Sequence, residues 1–207
     1  MTAVDGLLPI FPLDLVLLPG QILPLHIFEP RYKEMIGRCM AEKSPFGVVR
    51  LNDNVVADVG CTAEIIELTK RYDDGRFDIQ TAGRRRFELL AVNQEEAFLR
   101  AEVIYQEDEP EKPSSDLANR AIELHTEIVK VVGPNEEYEP PESDHPQLSY
   151  ALAGTIPIDL DFKQTLLNTR AESERLSMLI EFYGQVLPKL KRAARIREKA
   201  GGNGHVL

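Results

Sequence analysis

The side chains of this sequence that are most able to do chemistry are four histidines and two cysteines. A metal site needs such ligands clustered at short intervals, and a nucleophile needs a base beside it. The sequence has no HExxH, CxxC or GxSxG pattern, and the six side chains are widely spaced: His26, His125, His145, His205, Cys39 and Cys61. We therefore predict no catalytic residue, no metal site and no cofactor, with the histidines at the core edge or surface and both thiols buried or half-buried.

A second candidate is the segment from Phe28 to Tyr32, where an extended piece runs into Pro30. Proline is favoured in the first turn of a helix, so this segment is predicted to be a strand-to-helix junction. A groove beside it could accept an extended peptide, with Phe28, Glu29, Arg31 and Tyr32 as the contacts. In the structural alternative, Glu29 or Arg31 fixes the junction, while Phe28 and Tyr32 pack beneath it.

The third candidate is the basic cluster Arg84-Arg85-Arg86. Arg84 and Arg86 are the residues that would contact nucleic acid if this cluster formed a positive face. The alternative is that strand alternation separates Arg85 from the other two and that acids on neighbouring strands offset them. Stacking platforms for single-stranded nucleic acid also need aromatic residues, which do not accompany this cluster, and the net charge of -10 opposes phosphate binding.

Composition and charge set the class of protein. With 43% hydrophobic and 28% charged residues, the 207-residue sequence is typical of a folded globular protein. It shows neither a signal peptide nor the roughly 20-residue apolar run of a membrane span, so we expect a cytoplasmic protein without membrane contact. A basic stretch after Pro188 is interpreted as a solvated helix end, with a partner-binding arm as the alternative.

Periodicity assigns strands to the first half of the chain and helices to the second. Apolar residues alternate in several segments up to Gln106, around one helix that begins near Pro30, which favours a closed or nearly closed barrel. Helical spacing dominates later, in a long last helix whose packed part Pro188 is expected to kink or end. The predicted division is a β-rich part (1–106), a linker (107–115), a helical bundle (116–200) and a disordered tail (201–207), an α+β fold.

An ordered series of segments resembles the N-terminal (LON) domain of ATP-dependent Lon proteases. These segments are Leu8–Leu13, Leu18–Gly20, Leu23–Tyr32, Val59–Ile65, Gly83–Phe87, Phe98–Val103, Lys163–Leu167 and Glu174–Leu176. The resemblance implies a PUA-like β pseudo-barrel with one packed helix, followed by an α-helical bundle with a long last helix. It also implies a role in recognising unfolded or tagged substrates and in supporting oligomer assembly. No GxxxxGK[ST] loop is present, and we expect a stand-alone bacterial member without the ATPase and Ser-Lys peptidase domains.

Two functional hypotheses follow. The first is a non-enzymatic module that binds unfolded or peptide segments of other proteins through an exposed apolar patch or open sheet edge, as an adaptor in protein quality control. A separate protease and self-association remain open as further partners. The second is an RNA-binding PUA-like module that uses Arg84, Arg86 and the basic stretch after Pro188. It predicts a contiguous positive face and binding that weakens steeply with salt. Arginines that are dispersed and paired with acids would contradict it.

Overall fold

The computed structural model describes residues 7–133 and 138–202, the last five of these as backbone only. Strands occupy the first half of the chain: β1 (Leu8–Leu13), β2 (Ile22–Ile27), β3 (Phe46–Asn52), β4 (Val55–Val56), β5 (Val59–Arg71), β6 (Phe77–Asn93) and β7 (Leu99–Gln106). One helix lies among them and the others follow: α1 (Pro30–Glu42), α2 (Ser115–Val132), α3 (Leu148–Thr155), α4 (Leu160–Asn168) and α5 (Glu172–Gly202). This order of elements is that of the predicted α+β fold.

The chain divides into two compact units. The barrel unit comprises the residues up to Asp108 together with Ile158–Arg170, and the helical unit comprises Glu109–Pro157 and the residues from Ala171 onward. The sequence-based division placed residues 116–200 in one bundle, whereas the structure assigns α4 to the barrel unit. The reason is a set of long-range contacts without a local sequence signal: Gln164 Nε2 donates to the Val59 carbonyl at 3.0 Å, and Arg50 pairs with Asp161 at 2.6 Å.

Five strands of the barrel unit close into a ring, in the order β1-β7-β6-β5-β3 and back to β1. The closing pair β1–β3 is parallel, with Ile10 opposite Gly47, while the other pairs of the ring are antiparallel. Parallel strands need a crossover connection, which β2 and α1 supply here. The ring encloses a core cluster of Leu8, Ile10, Val49, Phe87, Ala101 and Val103.

Strand β6 is continuous through Gly83. The Gly83 N–H donates to the Gln21 carbonyl and the Gly20 N–H donates to the Gly83 carbonyl, each at 2.9 Å. A Cβ atom at Gly83 would lie 2.2 Å from the carbonyl oxygen of Leu18, so only glycine admits this approach of the turn before β2. Residues of β6 before Gly83 pair with β2, and those from Arg86 onward pair with β7.

Helix α1 follows the predicted pattern. It starts at Pro30, ends at Lys43 in the left-handed conformation (φ 52°), and buries Tyr32, Met35, Ile36 and Cys39. The apolar residues at helical spacing therefore form one buried face, as an amphipathic helix on a sheet requires.

The helical unit buries polar side chains as well as apolar ones. The His125 imidazole of α2 is fully buried and forms hydrogen bonds with the Tyr183 hydroxyl (2.9 Å) and the Thr155 hydroxyl (2.8 Å). Arg175 and Glu172 form a buried ion pair, and the Ser149 hydroxyl donates to Glu172 at 2.7 Å. The expectation of a histidine at the core edge or surface is therefore wrong for His125, because the buried partners satisfy both ring nitrogens.

Individual side chains set the ends of helices α4 and α5. Asp159 caps α4 by accepting from the Phe162 N–H at 2.8 Å. The Glu172 side chain does not complete a capping box with Thr169, since it binds Ser149 instead. Helix α5 continues through Pro188 to Gly202, but its buried residues end at Leu187, so the packed part of the helix ends at Pro188 as predicted. Gly201 and Gly202, the first two residues of the predicted disordered tail, belong to α5, and the rest of that tail, with His205, lies outside the described residues.

Candidate peptide-binding surface

Strand β2 presents a row of apolar and aromatic side chains to solvent. Alternate residues of the strand and the residue after it, Ile22, Pro24, His26 and Phe28, are exposed, with Ile22 51% and Phe28 58% accessible. The residues between them face the other way, and Ile27 is buried. This alternation follows from the period of two in a strand. We name these four residues the β2 strip.

An aromatic cluster continues the β2 strip toward the tip of the β5–β6 hairpin. The His26 ring is stacked 5.9 Å from Phe28 and meets Tyr72 edge-on at 5.7 Å. Asp78 holds both neighbours, because its carboxylate binds His26 Nδ1 at 2.5 Å and accepts from the Tyr72 hydroxyl at 2.8 Å. The hydrogen bonds from His26 and then Tyr72 lower the pKa of Asp78. The cluster is thus fixed by an ionised carboxylate beneath it.

Cations flank this cluster. The Lys70 ammonium lies 4.5 Å from the centre of the Tyr72 ring, and the Arg76 guanidinium lies 5.2 Å from it. Such cation–π contacts favour one orientation of the ring. Aromatic rings held in fixed positions and surrounded by polar groups are typical of the centre of a protein-binding surface. A purely charged surface would lack such rings.

The sheet leaves two strand edges open on either side of β6. Within the described residues, β2 pairs only with β6, and β5 beyond Ala63 likewise pairs only with β6. Pro24 lacks an N–H and interrupts the donors of the first edge. The second edge exposes Ile66 (45%) and Leu68 (39%), beside a groove of about 420 Å³ that Met40 also lines.

Both edges carry features that oppose the addition of another strand. Register shifts lie between Ile65 and Glu67 and between Leu68 and Lys70, opposite β6. Bulges and prolines are the usual means by which edge strands avoid pairing with other chains. The geometry therefore favours docking of side chains on the β2 strip and in the groove over extension of the sheet.

The sequence profile of one family matches most of the chain. It is described as the ATP-dependent protease La (LON) substrate-binding domain, and it covers residues 7–183. The chain belongs to this family. The resemblance predicted from the ordered segments is thereby confirmed.

Curated relatives of this LON domain are much longer proteins. It is 27% identical to Lon protease 1 of Hydrogenovibrio crunogenus over 90% of this chain and 24% of that protein. It is 26% identical to the Lon protease of Anaeromyxobacter dehalogenans over 96% of this chain and 25% of that protein. The chain therefore spans about a quarter of the length of these relatives.

Solved structures confirm the α+β fold. The Lon N-terminal domain protein of Xanthomonas campestris superposes with a TM-score of 0.69 and 26% identity, covering 85% of this chain and 98% of that one. The N-terminal domain of the Mycobacterium avium complex Lon protease gives a TM-score of 0.63 at 18% identity, with 86% and 98% coverage. The second match shows similarity of fold alone.

The predicted peptide contacts separate into exposed and buried residues. Phe28, Glu29 and Arg31 lie at the surface, where Arg31 pairs with Glu29 at 2.9 Å. Tyr32 is only 7% accessible, and its ring lies 4.1 Å from that of Phe11, so it belongs to the core of the LON domain. Phe28 does not pack beneath the junction as the structural alternative required. A peptide-binding role for the exposed three stays a prediction.

Reasoning from sequence missed the partners of Phe28. His26, Tyr72 and Asp78 come from β2 and from both ends of the β5–β6 hairpin tip, and their proximity depends on the pairing of His26 with Asp78 across 52 residues. The sequence pattern that could have indicated this surface is the alternation of Ile22, Pro24, His26 and Phe28. The pattern can be recognised only if the strand is taken to begin at Ile22, as the structure shows.

The predicted nucleic-acid contacts do not form a positive face. Arg84 pairs with Glu64 and Arg85 with Glu107, each at 2.6 Å. Arg86 is only 3% accessible; it pairs with Asp108 at 2.5 Å and donates to two backbone carbonyls, those of Leu167 (2.9 Å) and Thr169 (3.0 Å). Arg86 is therefore a core residue of the LON domain.

The pairing of these arginines contradicts the RNA-binding hypothesis. The prediction that Arg84 and Arg86 share a face is also wrong: Arg84 and Arg85 are exposed and Arg86 is buried. The cause is the register shift of the ladder between Cys61 and Ala63, since a bulge changes which residues face each side.

The two thiols are buried and free, as predicted. Burial raises the pKa of Cys61 to about 12 and also raises the pKa of Cys39, so both are protonated at neutral pH and poor nucleophiles. Among the described residues, no three side chains of the metal-binding types come together. None of the described helices combines the length and apolar character of a membrane-spanning segment.

Proposed function

We propose that this LON domain is a non-enzymatic module that captures extended, apolar segments of other proteins, as a cytoplasmic adaptor in protein quality control. The observation that carries the proposal is the β2 strip, which ends in the exposed ring of Phe28. Membership of a substrate-binding domain family supports a role in recognition. A separate protease that receives the captured protein is part of the proposal.

The physical reason is the cost of leaving apolar side chains in water. A phenylalanine gains about 1.5–3 kcal/mol on complete burial, and more than half of Phe28 is accessible. Covering it would therefore contribute roughly 1–1.5 kcal/mol, about a tenfold change in Kd. Ile22 adds to the same surface, while the fixed rings of His26 and Tyr72 keep the entropic cost of binding low.

The test is binding of reduced, carboxymethylated lactalbumin, which is permanently unfolded, measured by fluorescence anisotropy. We expect Phe28→Ser to weaken binding about tenfold, with little effect of salt because the contact is apolar. The matched control is Ile196→Ser, which removes a side chain of similar exposure (59%) from α5. A further variant, Ile66→Ser with Leu68→Ser, reports on the groove beside β5.

Three results would contradict the proposal. One is equal binding of the unfolded protein by the wild type, Phe28→Ser and the groove variant. Another is equal loss in the Ile196→Ser control. A third is equal affinity for native, disulfide-bonded lactalbumin, since the proposal requires an accessible extended segment. Loss in the groove variant with unchanged Phe28→Ser binding would overturn the choice of the β2 strip as the main contact.

A further inference from the structure

A second concave site lies in the barrel unit. It is a cleft of about 330 Å³, near the lower end of the about 300–1,000 Å³ typical of ligand pockets. Its apolar wall comes from the start of β1 and from β7 and nearby loops: Leu7, Leu8, Pro9, Pro45, Phe98 and Tyr105. None of these residues belongs to the β2 strip, so the cleft is independent of the surface proposed above.

Two arginines line the same cleft and converge on one carboxylate. Arg38 Nη1 donates to Glu96 Oε2 and Arg100 Nη1 donates to Glu96 Oε1, each at 2.6 Å. The hydrogen bonds from Arg100 and then Arg38 lower the pKa of Glu96. Each oxygen of a single carboxylate is therefore held by a different guanidinium, an arrangement that is specific for a planar, charged carboxylate.

The two guanidiniums are held in place by other contacts. Arg38 lies over the Phe98 ring at 5.3 Å and also binds Glu34 through Nη2. Arg100 Nη2 lies 3.5 Å from the carbonyl oxygen of Leu7. Both arginines keep part of their surface open, with 47% and 32% of the side chain accessible. The site would therefore persist if the Glu96 carboxylate left it.

Glu96 itself comes from a surface turn rather than from a strand or helix. It lies between β6 and β7, next to Glu95, whose N–H donates to the Asn93 side chain at 2.8 Å. Connecting turns of this kind move more readily than the elements they join. A carboxylate from another molecule could take the place of the Glu96 carboxylate with the same hydrogen bonds.

We propose that this cleft binds the C-terminal carboxylate of a polypeptide whose last side chains are apolar, with that carboxylate replacing Glu96 on Arg38 and Arg100. The apolar wall accommodates the last side chains, and the arginines supply the charge that an internal segment lacks. Glu42 also lines the cleft, which disfavours a second negative charge near the chain end. The proposal assigns the LON domain a site that distinguishes chain ends from internal segments.

The test compares two forms of one probe, the peptide Gly-Ser-Gly-Ala-Leu-Val labelled at its N-terminus, made as a free acid and as a C-terminal amide. We expect the intact protein to bind the free acid at least about tenfold more tightly than the amide, because one hydrogen bond to a charged group contributes this much to affinity. Glu96→Gln should increase affinity for the free acid and not for the amide, because it removes the competing carboxylate. Arg100→Gln should reduce the difference between the two forms, because only Arg38 then remains to bind the carboxylate.

Glu123→Gln is the matched control, since it removes an exposed carboxylate paired with Arg120 at 2.6 Å in the helical unit. It changes the net charge by the same amount as Glu96→Gln and should leave both affinities unchanged. Equal binding of acid and amide by the wild type would overturn the proposal, as would unchanged or weaker binding of the acid by Glu96→Gln. Equal binding of free valine and the peptide acid would refute the apolar chain end as the ligand. Phe28→Ser should leave this preference intact, so the two proposed sites can fail separately.

Discussion

The buried imidazole of His125 predicts that the helical unit loses stability in mild acid. Burial lowers the pKa of His125 from 6.5 to about 4. The reason is that water cannot hydrate the enclosed ring, so its charged form is disfavoured. In the unfolded chain the ring titrates near 6.5. Between these two values the unfolded state binds a proton that the folded state does not, so stability falls as the pH falls from about 6.5 to about 4. Above pH 6.5 the ring is neutral in both states and adds no pH dependence.

The difference between 6.5 and about 4 corresponds to roughly 3 kcal/mol, at about 1.4 kcal/mol per pKa unit. Roughly 2 kcal/mol of it should be lost by about pH 5. The assay is the free energy of urea unfolding, followed by circular dichroism at several pH values, with His125→Gln as the reference. We expect the variant to be less stable at neutral pH, since Tyr183 and Thr155 lose a matched partner.

The slope with pH between 6.5 and 5 should nevertheless be shallower in His125→Gln than in the wild type. Comparing the two slopes cancels the contribution of carboxylates that titrate in the same way in both proteins. An NMR titration of the ring supplies a direct reading of the same quantity. Titration of the folded-state His125 ring near pH 6.5, or identical slopes in the two proteins, would refute the reasoning.

The remaining predictions concern the barrel unit. Arg86→Met should lower the free energy of unfolding by about 3–5 kcal/mol, because it removes a buried guanidinium that binds Asp108 and two backbone carbonyls. Arg84→Met, at an exposed ion pair, should cost no more than about 1 kcal/mol. Thermal melts of both variants check this, and equal effects would contradict the buried role of Arg86. Gly83→Ala should destabilise the domain more than an ordinary surface substitution, since the added methyl group would overlap the Leu18 carbonyl; an unchanged melting temperature would show that the turn can move away.

Local periodicity accounts for most of the helices and strands that the sequence predicted. Pro30 and the apolar spacing behind it predicted helix α1, which buries Tyr32, Met35, Ile36 and Cys39. Large apolar residues at helical spacing describe the contact face of α2 less well, since Ala118 and Ala121 are buried while Val132 is 54% accessible. Small residues carry little hydrophobic signal, yet they permit close packing of helices, so a pattern based on large side chains is rotated from the true contact face.

Strand pairing explains why the candidate sites could be predicted only in part. Phe28 and Arg31 were predicted as contacts because they flank a recognisable junction, whereas His26 and Asp78 become neighbours only through the antiparallel register of β2 and β6. The convergence of Arg38 and Arg100 on Glu96 likewise joins α1 to β7 and the turn before it. His26 is far from Asp78 in the sequence, and Arg38 is far from Arg100, so no local pattern shows that either pair comes together.

The arginine cluster shows how one β-bulge can overturn a functional interpretation. Strict alternation places Arg84 and Arg86 on the same face, which would make a basic pair at the surface. Between the pairs Cys61–Arg86 and Ala63–Gly83, β6 carries one residue more than β5. Such a bulge shifts the register by one residue and moves a side chain from one face of the sheet to the other. Arg86 is thereby turned into the unit's interior, where it binds the end of α4 and Asp108. A residue whose charge favoured an RNA-binding face thus stabilises the fold, and the exposed surface next to it is left neutral by the pairing of Arg84 with Glu64.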